Sequence, residues 1–380
     1  MLETALKVLN LIEDNSYEAY IVGGFVRDYI MGIKSNDVDI TTNAKPKDLI
    51  KIFPNANVDN ELYGSITVYI NNIQFEITTY RDDGIYLDNR HPDTINYVDS
   101  LKLDLKRRDF TINTICMDKS GNIIDLLNCK NDINNKIIKT VSDPLESFKN
   151  DSLRILRAIR FATTLDFELS LEVKEAIRQS KYLLKELSIN RKKEELDKIF
   201  SSPNIEKGLS LIRELDLISV LYLDKINKVK PCSQVIGIWT VLDVDSIYPF
   251  TRNELKLMKD IRNAMLYNPL LNETLYYYDL YPCTVAGEIM GIDKKRIMDI
   301  YNEMPIHKRN DIVIDTYDLM NYLEIEDGPI ISKLWDNIEK AILKGEVVNE
   351  KKQLLLFAKK IYTRINLIKK EDCNETKTVD

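Results

Sequence analysis

Asp37 and Asp39 stand two positions apart in the stretch NDVDITT, and the branched apolar residues Val38 and Ile40 alternate with them. In an extended strand, successive side chains point to opposite faces, so the carboxylates share one face and the apolar side chains share the other. Adjacent carboxylates on a half-buried strand repel each other unless a cation or water neutralises them. The spacing indicates a pair that holds a metal ion, with helix capping or surface solvation as the alternative.

Gly23 and Gly24 lie between a short apolar run, AYIV, and a helix-like run, FVRDYIMG. Two glycines at such a junction permit a tight turn whose backbone amides, with the positive end of the helix, can receive a phosphate. Alone, the pair is also an ordinary turn. Arg27 follows one turn into the helix, and the aspartate pair comes a short loop later. A phosphate cradle beside two carboxylates is what nucleotidyl transfer by two Mg²⁺ ions requires.

A second group of polar residues lies in RRDFTIN, residues 107–113. If this segment is helical, Asp109 and Asn113 fall one turn apart on one face, directly after Arg107 and Arg108. Arginines suit a triphosphate, and carboxylate or amide groups suit ribose hydroxyls. A solvated run of charges is the alternative.

The run NDSLRILRAIRF, residues 150–161, predicts a helix in which Asp151 and Arg154 project from one face. Cytosine and adenine each present an amine donor beside a ring-nitrogen acceptor, whereas uracil and guanine present the reverse pattern. A carboxylate and a guanidinium match the first pattern, so this pair would accept CTP and ATP and reject UTP and GTP. Arg157, one turn on, is a candidate for binding phosphate or orienting its neighbours. An ordinary ion pair within a helix is the alternative.

The elements that carry these residues change character near Asp143. Before it, the sequence predicts helices at LETALKVLNLIE, FVRDYIMG and PKDLIKIF and strands at AYIV, DVDITT and SITVYINNIQFEITTY, the last being two strands joined at Asn71 and Asn72. Residues 81–100 predict a long loop. After Asp143, which caps a helix that Pro144 opens, apolar residues recur at helical spacing to near the chain's end.

Composition restricts the class of protein. With 380 residues, 44% hydrophobic and 30% charged, the chain can form two or more cores and is typical of a globular, cytosolic protein. No run approaches the eighteen apolar residues of a membrane span. Its five cysteines lack CxxC spacing, and its two histidines are far apart, which excludes a histidine-based metal centre.

The net charge of −7 argues against a nucleic-acid partner without excluding one. Local basic clusters could still line one surface, since net charge is an average over the chain. Two such clusters are Lys102, Lys106, Arg107 and Arg108, and Arg154, Arg157 and Arg160.

Taken together, these motifs resemble the class II tRNA nucleotidyltransferases, which comprise the CCA-adding enzymes and their bacterial poly(A) polymerase relatives in the polymerase β superfamily. The resemblance rests on VGGFVRDYIMG followed by DVDITT, on RRDFTINTI, on NDSLRILRAIRF and on KGEVVNEKKQLL, in the order in which the family has them. It is strong over residues 20–205 and weaker in the helices that follow.

The resemblance implies an α+β fold. A nucleotidyltransferase head with a small mixed sheet and helices would span residues 1–142. An all-helical neck for base selection would span residues 143–203, a helical body residues 204–308, and a helical tail that binds tRNA residues 309–380. The segment from Asp83 to Ser100 corresponds to the flexible loop that the family uses in switching from C to A addition.

The same resemblance implies roles for the residues. Asp37 and Asp39 would hold two Mg²⁺ ions and carry catalysis. Glu76, on a predicted strand near the pair, is a supporting candidate for a third carboxylate beside the metal, with a structural role as the alternative. The triphosphate and ribose would lie against Gly23, Gly24, Arg27, Arg107, Asp109 and Asn113. Asp151 and Arg154 would select the base, supported by Arg157 and Arg160. The family usually writes this motif EDxxR, and Asn150 departs from it at the first position.

The implied activity is the addition of C, C and A from CTP and ATP to the 3′ end of tRNA, with release of pyrophosphate. The partner would be the acceptor and T arms of tRNA, in the cytoplasm, whereas the oligomeric state stays open. Three alternatives remain: an A-adding enzyme or poly(A) polymerase on the same scaffold, a non-catalytic RNA-binding protein, and a nucleotidyltransferase that acts on small molecules.

Overall fold

The computed structural model describes residues 1–35, 37–83 and 95–375 of the chain. Its strands are β1 (Ala19–Val22), β2 (Val38–Thr42), β3 (Ser65–Ile70), β4 (Ile73–Thr79), β5 (Arg81–Asp83), β6 (Ile95–Tyr97), β7 (Cys116–Met117), β8 (Ile123–Ile124), β9 (Ile137–Ile138) and β10 (Glu168–Leu169). Six of them form one mixed sheet in the order β3-β4-β2-β1-β7-β8. This sheet positions the aspartate pair.

Strand β2 lies in the middle of the sheet, antiparallel to β1 and parallel to β4. Val38 and Ile40 point into the core with 2% and 1% of their surface exposed, while Asp39 between them lies on the open face. The alternation predicted from the sequence is therefore confirmed. In the register of the parallel pair, Glu76 stands directly opposite Asp39. The two carboxylates share one face because directly paired residues point to the same side.

The hairpin predicted at Asn71 and Asn72 is also confirmed. Both residues have positive φ angles, 52° and 61°, as a two-residue type I′ turn requires.

The helices of the first part of the chain are α1 (Leu2–Glu13), α2 (Gly24–Ile30), α3 (Pro46–Ile52), α4 (Leu101–Lys106) and α5 (Lys130–Asn134). They are followed by α6 (Pro144–Asn150), α7 (Leu153–Thr164), α8 (Leu171–Ser180), α9 (Ile189–Phe200) and α10 (Ile205–Glu214). Asp143 caps α6, since its side chain accepts a hydrogen bond from the Glu146 backbone N–H. This cap was predicted from the sequence.

The remaining helices are α11 (Val235–Leu242), α12 (Arg252–Tyr267), α13 (Asn272–Tyr278), α14 (Leu280–Met290), α15 (Lys294–Glu303), α16 (Thr316–Leu323), α17 (Pro329–Leu343) and α18 (Lys351–Glu375). Their apolar faces form a core of their own around Ile261, Leu319 and Trp335. The mixed sheet followed by helices confirms the predicted α+β class. Within the residues that the structure describes, no helix is both long and apolar enough to cross a membrane.

The chain forms two compact units. One comprises Met1–Val229 with Ser246–Pro249, and the other comprises Lys230–Asp245 with the described residues from Phe250 onward. The first unit contains the sheet and helices α1 to α10. The finer division into head, neck, body and tail stays a prediction.

Two local predictions were wrong, and the helical condition set for RRDFTIN is not met. The ends of the predicted loop pair as a ribbon of β5 with β6, in which Arg81 stands opposite Tyr97. The part of the predicted switching loop between these strands lies outside the described residues. The segment RRDFTIN is not an α-helix, since only Thr111–Asn113 forms a 3₁₀ turn. The helix predicted from Asn150 begins at Leu153, because Asn150 still belongs to α6 and the chain is extended at Asp151.

Candidate active site

A cleft of about 360 Å³ in the first unit gathers most of the predicted site residues. Its lining comprises Gly23, Gly24, Arg27, Asp37, Asp39, Asp109, Asn113, Arg157 and Arg160, together with Phe25, Asp28, Ser35, Arg108 and Phe161. A larger cavity of about 650 Å³ lies in the helical second unit among tyrosines such as Tyr277. We place the candidate active site in the smaller cleft because it brings Asp37 and Asp39 together with the Gly23 turn and a group of arginines.

The aspartate pair and the glycine turn meet in this cleft because β1 and β2 are neighbours. Val22, the last residue of β1, pairs with Asp39 across the sheet, so the turn at Gly23 begins beside the carboxylate. A Cβ atom placed on Gly23 would lie 3.4 Å from Asp39 Oδ2 and 3.7 Å from an Arg108 nitrogen. Gly23 also has a φ of +81°, which favours glycine. A side chain at position 23 would therefore contact the Asp39 carboxylate and strain the backbone of the turn.

Negative charge accumulates around Asp39. Desolvation by the surrounding protein raises the pKa of this carboxyl to about 6; the carboxylates of Glu76 and Asp37 add to the rise, and the guanidinium of Arg108 opposes it. The positive charges that the protein places near Asp39 therefore do not fully stabilise its ionised form.

The chemistry of this donor set fits Mg²⁺, which prefers carboxylate oxygens and often takes only one or two of them, with phosphate oxygens and water completing its shell. In the described part of the chain, no group of three or more His, Cys, Asp or Glu side chains could hold a metal ion by itself. Asp37 and Asp39 are thus the residues that would share a metal with the phosphates of a substrate.

Positive charge in the same cleft converges around the ring of Phe161. The guanidinium carbons of Arg27 and Arg157 both lie 5.4 Å from the ring centroid, and that of Arg160 lies 4.2 Å from it. Three like charges can share this space because each guanidinium also pairs with a carboxylate, and cation–π attraction adds to that compensation. The pairs are Arg27 with Asp28, Arg157 with Asp109 and Arg160 with Glu195. Such an array is suited to a polyanion such as a triphosphate.

Phe161 was not singled out in the sequence, although a signal was present. It follows Arg157 by four positions, the spacing at which side chains meet on a helix.

A hydrogen-bonded chain fixes the arginines. Arg157 Nε donates to Asp109 Oδ2 at 2.8 Å, Asn113 Nδ2 donates to Asp109 Oδ1 at 3.1 Å, and Arg27 Nη1 donates to Asn113 Oδ1 at 2.9 Å. Although burial alone would raise it, Arg157 and the Asn113 amide hold the pKa of Asp109 far below its usual range. Asp109 and Asn113 meet as predicted, although Asp109 lies before the 3₁₀ turn that contains Asn113, and both are bonded to arginines.

Arg107 and Glu76 lie beside the cleft rather than in it. They line an adjoining cavity of about 230 Å³, which shares Asp39 and Arg108 with the main cleft. Arg107 bonds through its guanidinium to the buried carboxylate of Asp104. Asp104 was not singled out in the sequence, although it precedes two arginines by three and four positions.

The predicted base-selection pair does not line the cleft. Arg154 is buried, with Nη1 donating to Ser147 Oγ at 2.8 Å and Nη2 donating to the Arg107 carbonyl at 2.9 Å. Asp151 accepts a hydrogen bond from the Leu153 backbone N–H at 3.0 Å, and burial raises the pKa of its carboxyl. Base selection by this pair stays a prediction.

Three family models match the chain. They are the Poly A polymerase head domain over residues 19–139, the probable RNA and SrmB binding site of polymerase A over residues 166–225, and the putative tRNA nucleotidyltransferase domain 2 over residues 239–358.

Curated relatives match along nearly the whole chain. A CCA-adding enzyme of Ligilactobacillus salivarius is 32% identical, with 94% of this chain and 96% of that protein aligned. A CCA-adding enzyme of a Geobacillus species is 31% identical, with 98% and 99% aligned.

Solved structures agree with these matches. The Bacillus stearothermophilus CCA-adding enzyme in complex with CTP superposes with a TM-score of 0.84 at 27% identity, covering 98% of this chain and 99% of that one. The Thermotoga maritima CCA-adding enzyme has a TM-score of 0.67 at 21% identity, covering 93% of this chain and 94% of that one, which shows likeness of fold.

Proposed function

The chain belongs to the family of CCA-adding tRNA nucleotidyltransferases, and on that premise we propose that it adds C, C and A from CTP and ATP to the 3′ end of tRNA. The family resemblance carried by the motifs is confirmed. The observation that supports the reaction most directly is the meeting of Asp37 and Asp39 with the Gly23 turn and the arginines in one cleft. A nucleoside triphosphate needs the carboxylates to hold its metal ions and the arginines to bind its phosphates.

In the proposed reaction, the triphosphate lies between the aspartates and the arginines around Phe161. Arg27, Arg157 and Arg160 bind phosphate oxygens and offset the charge that builds up on the leaving pyrophosphate. Asp37 and Asp39 would hold Mg²⁺, which when bound would lower the pKa of the tRNA 3′-hydroxyl and neutralise phosphate charge. The 3′-hydroxyl gives its proton to water, and its oxygen bonds to the α-phosphorus. The bond between the α-phosphorus and the oxygen shared with the β-phosphate breaks, and pyrophosphate leaves.

The substrate RNA is bound mostly through its phosphates and its shape, because a tRNA acceptor arm is a double helix whose base edges are poorly accessible. A net charge of −7 requires that the contacting lysines and arginines be grouped locally. The head, neck, body and tail boundaries, the assignment of the tail to tRNA and a cytoplasmic location belong to this proposal.

The test uses tRNA transcripts that end before CCA, after the first C, and after CC, each incubated with one nucleotide at a time. The CCA-adding enzyme extends the first two with CTP and the third with ATP, and it uses UTP and GTP poorly. Extension of the third transcript alone identifies an A-adding enzyme, and long A tails identify a poly(A) polymerase. Binding of tRNA without extension identifies a non-catalytic RNA-binding protein. Turnover of nucleotides in the absence of RNA identifies a nucleotidyltransferase that acts on small molecules.

Replacing Gly23 with alanine is expected to lower kcat/KM for CTP by about tenfold or more. The new methyl group would contact Asp39 and Arg108, and the backbone would hold a non-glycine residue at φ +81°, which costs about 1–3 kcal/mol. Single-nucleotide incorporation into tRNA measures the loss.

Gly32→Ala is the matched control. Gly32 also has a positive φ of +69°, but no atom lies within 4 Å of the added Cβ, so this variant carries backbone strain without the contact. Equal losses of activity in the two variants would show that strain, and not the contact with the site, causes the effect.

A further inference from the structure

A second cluster of charges lies behind the active-site cleft, centred on Asp104 of α4. Its carboxylate is fully buried, with 0% of the side chain exposed. Oδ1 accepts from Arg107 Nε at 2.9 Å, and Oδ2 accepts from Thr41 Oγ1 at 3.0 Å and from Arg108 Nη2 at 3.4 Å. The backbone N–H of Arg81 also approaches Oδ1, at 3.4 Å. One carboxylate therefore joins α4 and the two arginines that follow it to β2 and to β5.

The partners of Asp104 all adjoin the reaction site. Thr41 lies on β2, two residues after Asp39, so the bond fixes α4 against the strand that carries the aspartates. Arg107 lines the cavity that contains Asp39 and Glu76. Arg108 lines both that cavity and the main cleft. Both arginines therefore bond to Asp104 and also line a cavity together with two other carboxylates, those of Asp39 and Glu76.

These two carboxylates matter because Asp39 is proposed to hold the metal, and Glu76 stands directly opposite it on β4. Arg108 already acts electrostatically on Asp39 and lowers its pKa against the effect of burial. If the two guanidinium groups were not held elsewhere, Coulomb attraction would draw them onto Asp39 and Glu76. Such pairing would remove the ligands from Mg²⁺ and the cations from the triphosphate together.

Asp104 is charged under the conditions in which the enzyme works. Burial alone would raise its pKa, but Arg108 and Arg107 hold the pKa of this carboxyl below its ordinary value. A buried carboxylate with two cationic partners and a hydroxyl donor stays ionised at neutral pH.

We propose that Asp104 is a positioning residue, which holds Arg107 and Arg108 away from Asp39 and Glu76 so that the arginines stay available to phosphate and the carboxylates to metal. The inference rests on the proposed function, since it assigns the two arginines to the triphosphate of that reaction. It makes Asp104 a determinant of nucleotide binding, although it does not touch the nucleotide.

The test compares Asp104→Asn and Asp104→Glu with the wild-type full-length chain. CTP binding is measured by calorimetry in EDTA, so that it reports on the arginines without metal. We expect Asp104→Asn to raise the Kd for CTP about tenfold, the effect of one charged hydrogen bond. In incorporation assays with Mg²⁺, KM for CTP should rise more than kcat falls, and the Mg²⁺ concentration for half-maximal rate should increase. Asp104→Glu, which keeps the charge, should recover part of each loss.

Glu339→Gln is the control for a purely structural effect. Glu339 is also a buried carboxylate, 3% exposed, and it pairs with Arg309 in the helical second unit. This variant should lower the melting temperature without changing the Kd for CTP. An equal rise in Kd for both variants would assign the effect of Asp104 to general destabilisation and overturn the inference.

An unchanged Kd and an unchanged Mg²⁺ requirement in folded Asp104→Asn would also overturn it, while leaving CCA addition by the wild type intact. Failure of the wild type to extend tRNA would instead contradict the proposed function. If neither Asp104 variant folds, the double substitution Arg107→Gln, Arg108→Gln tests the step on which the proposal depends, which is binding of the triphosphate by these two arginines. Unaltered CTP binding by that variant would overturn the proposal, and a tenfold weaker Kd would support it.

Discussion

Replacing either Asp37 or Asp39 with asparagine abolishes nucleotide addition, with kcat/KM for CTP expected to fall on the order of 10³-fold or more. Asparagine keeps the shape of each side chain but removes the charge that a divalent ion requires. Because both carboxylates lie in the cleft beside the Gly23 turn, neither can substitute for the other. Incorporation of radiolabelled CMP into tRNA that lacks CCA measures the loss.

Asp48→Asn is the matched control for these variants. Asp48 lies in the first turn of α3, in the same unit, and its Oδ1 pairs with Lys51 Nζ at a distance of 2.8 Å. Neither residue lines the cleft. The substitution removes one negative charge without touching the site, so activity should stay within about twofold of wild type, as is usual for a surface ion pair. Thermal unfolding shows whether each variant folds. Substantial activity in a folded Asp39→Asn variant would contradict the two-metal reaction.

Local chemistry predicted the parts of the site that lie within one element. The alternation of Val38, Asp39 and Ile40 required only the two-residue period of a strand. The turn at Asn71 and Asn72 required only that asparagine tolerates a positive φ. Each of these predictions depends on neighbouring residues alone, and each was confirmed.

Pairings between distant segments could not be predicted in the same way. Glu76 faces Asp39 only because β4 pairs in parallel with β2, which follows from the sheet order and not from either strand's sequence. Asp104 bonds to Thr41 across 63 residues of chain. A helix was the condition set for RRDFTIN, but Phe110 is extended and bridges Thr140, a partner 30 residues away that the segment's own sequence does not reveal.

Truncating Asp151 or Arg154 to alanine is expected to reduce the preference for CTP and ATP over UTP and GTP by roughly 100-fold or more. Discrimination by hydrogen bonds is large because a mismatched base leaves buried polar groups unpaired. Alanine removes those groups, so the wrong base no longer meets an unsatisfied partner. The measurement is kcat/KM for each of the four nucleotides on tRNA ending before CCA and on tRNA ending in CC.

The present partners of Arg154 sharpen this prediction. Its guanidinium donates to Ser147 Oγ and to the Arg107 carbonyl, so it must give up at least one of these bonds to donate to a ring nitrogen. Ser147→Ala removes one of the competing acceptors and leaves the pair itself intact. This variant should keep wild-type selectivity, with a KM for CTP that is unchanged or lower.

Asn150→Glu restores the acid that the family usually has before the pair, at an exposed position at the end of α6. If Asp151 and Arg154 read the base in this chain, this substitution should leave the order of preference among the four nucleotides unchanged. Selectivity that persists in Asp151→Ala and Arg154→Ala, or that is lost in Ser147→Ala, would show that other groups read the base. In that case Arg154 would serve to join α7 to α6 and to the Arg107 segment, through its bonds to Ser147 Oγ and to the Arg107 carbonyl.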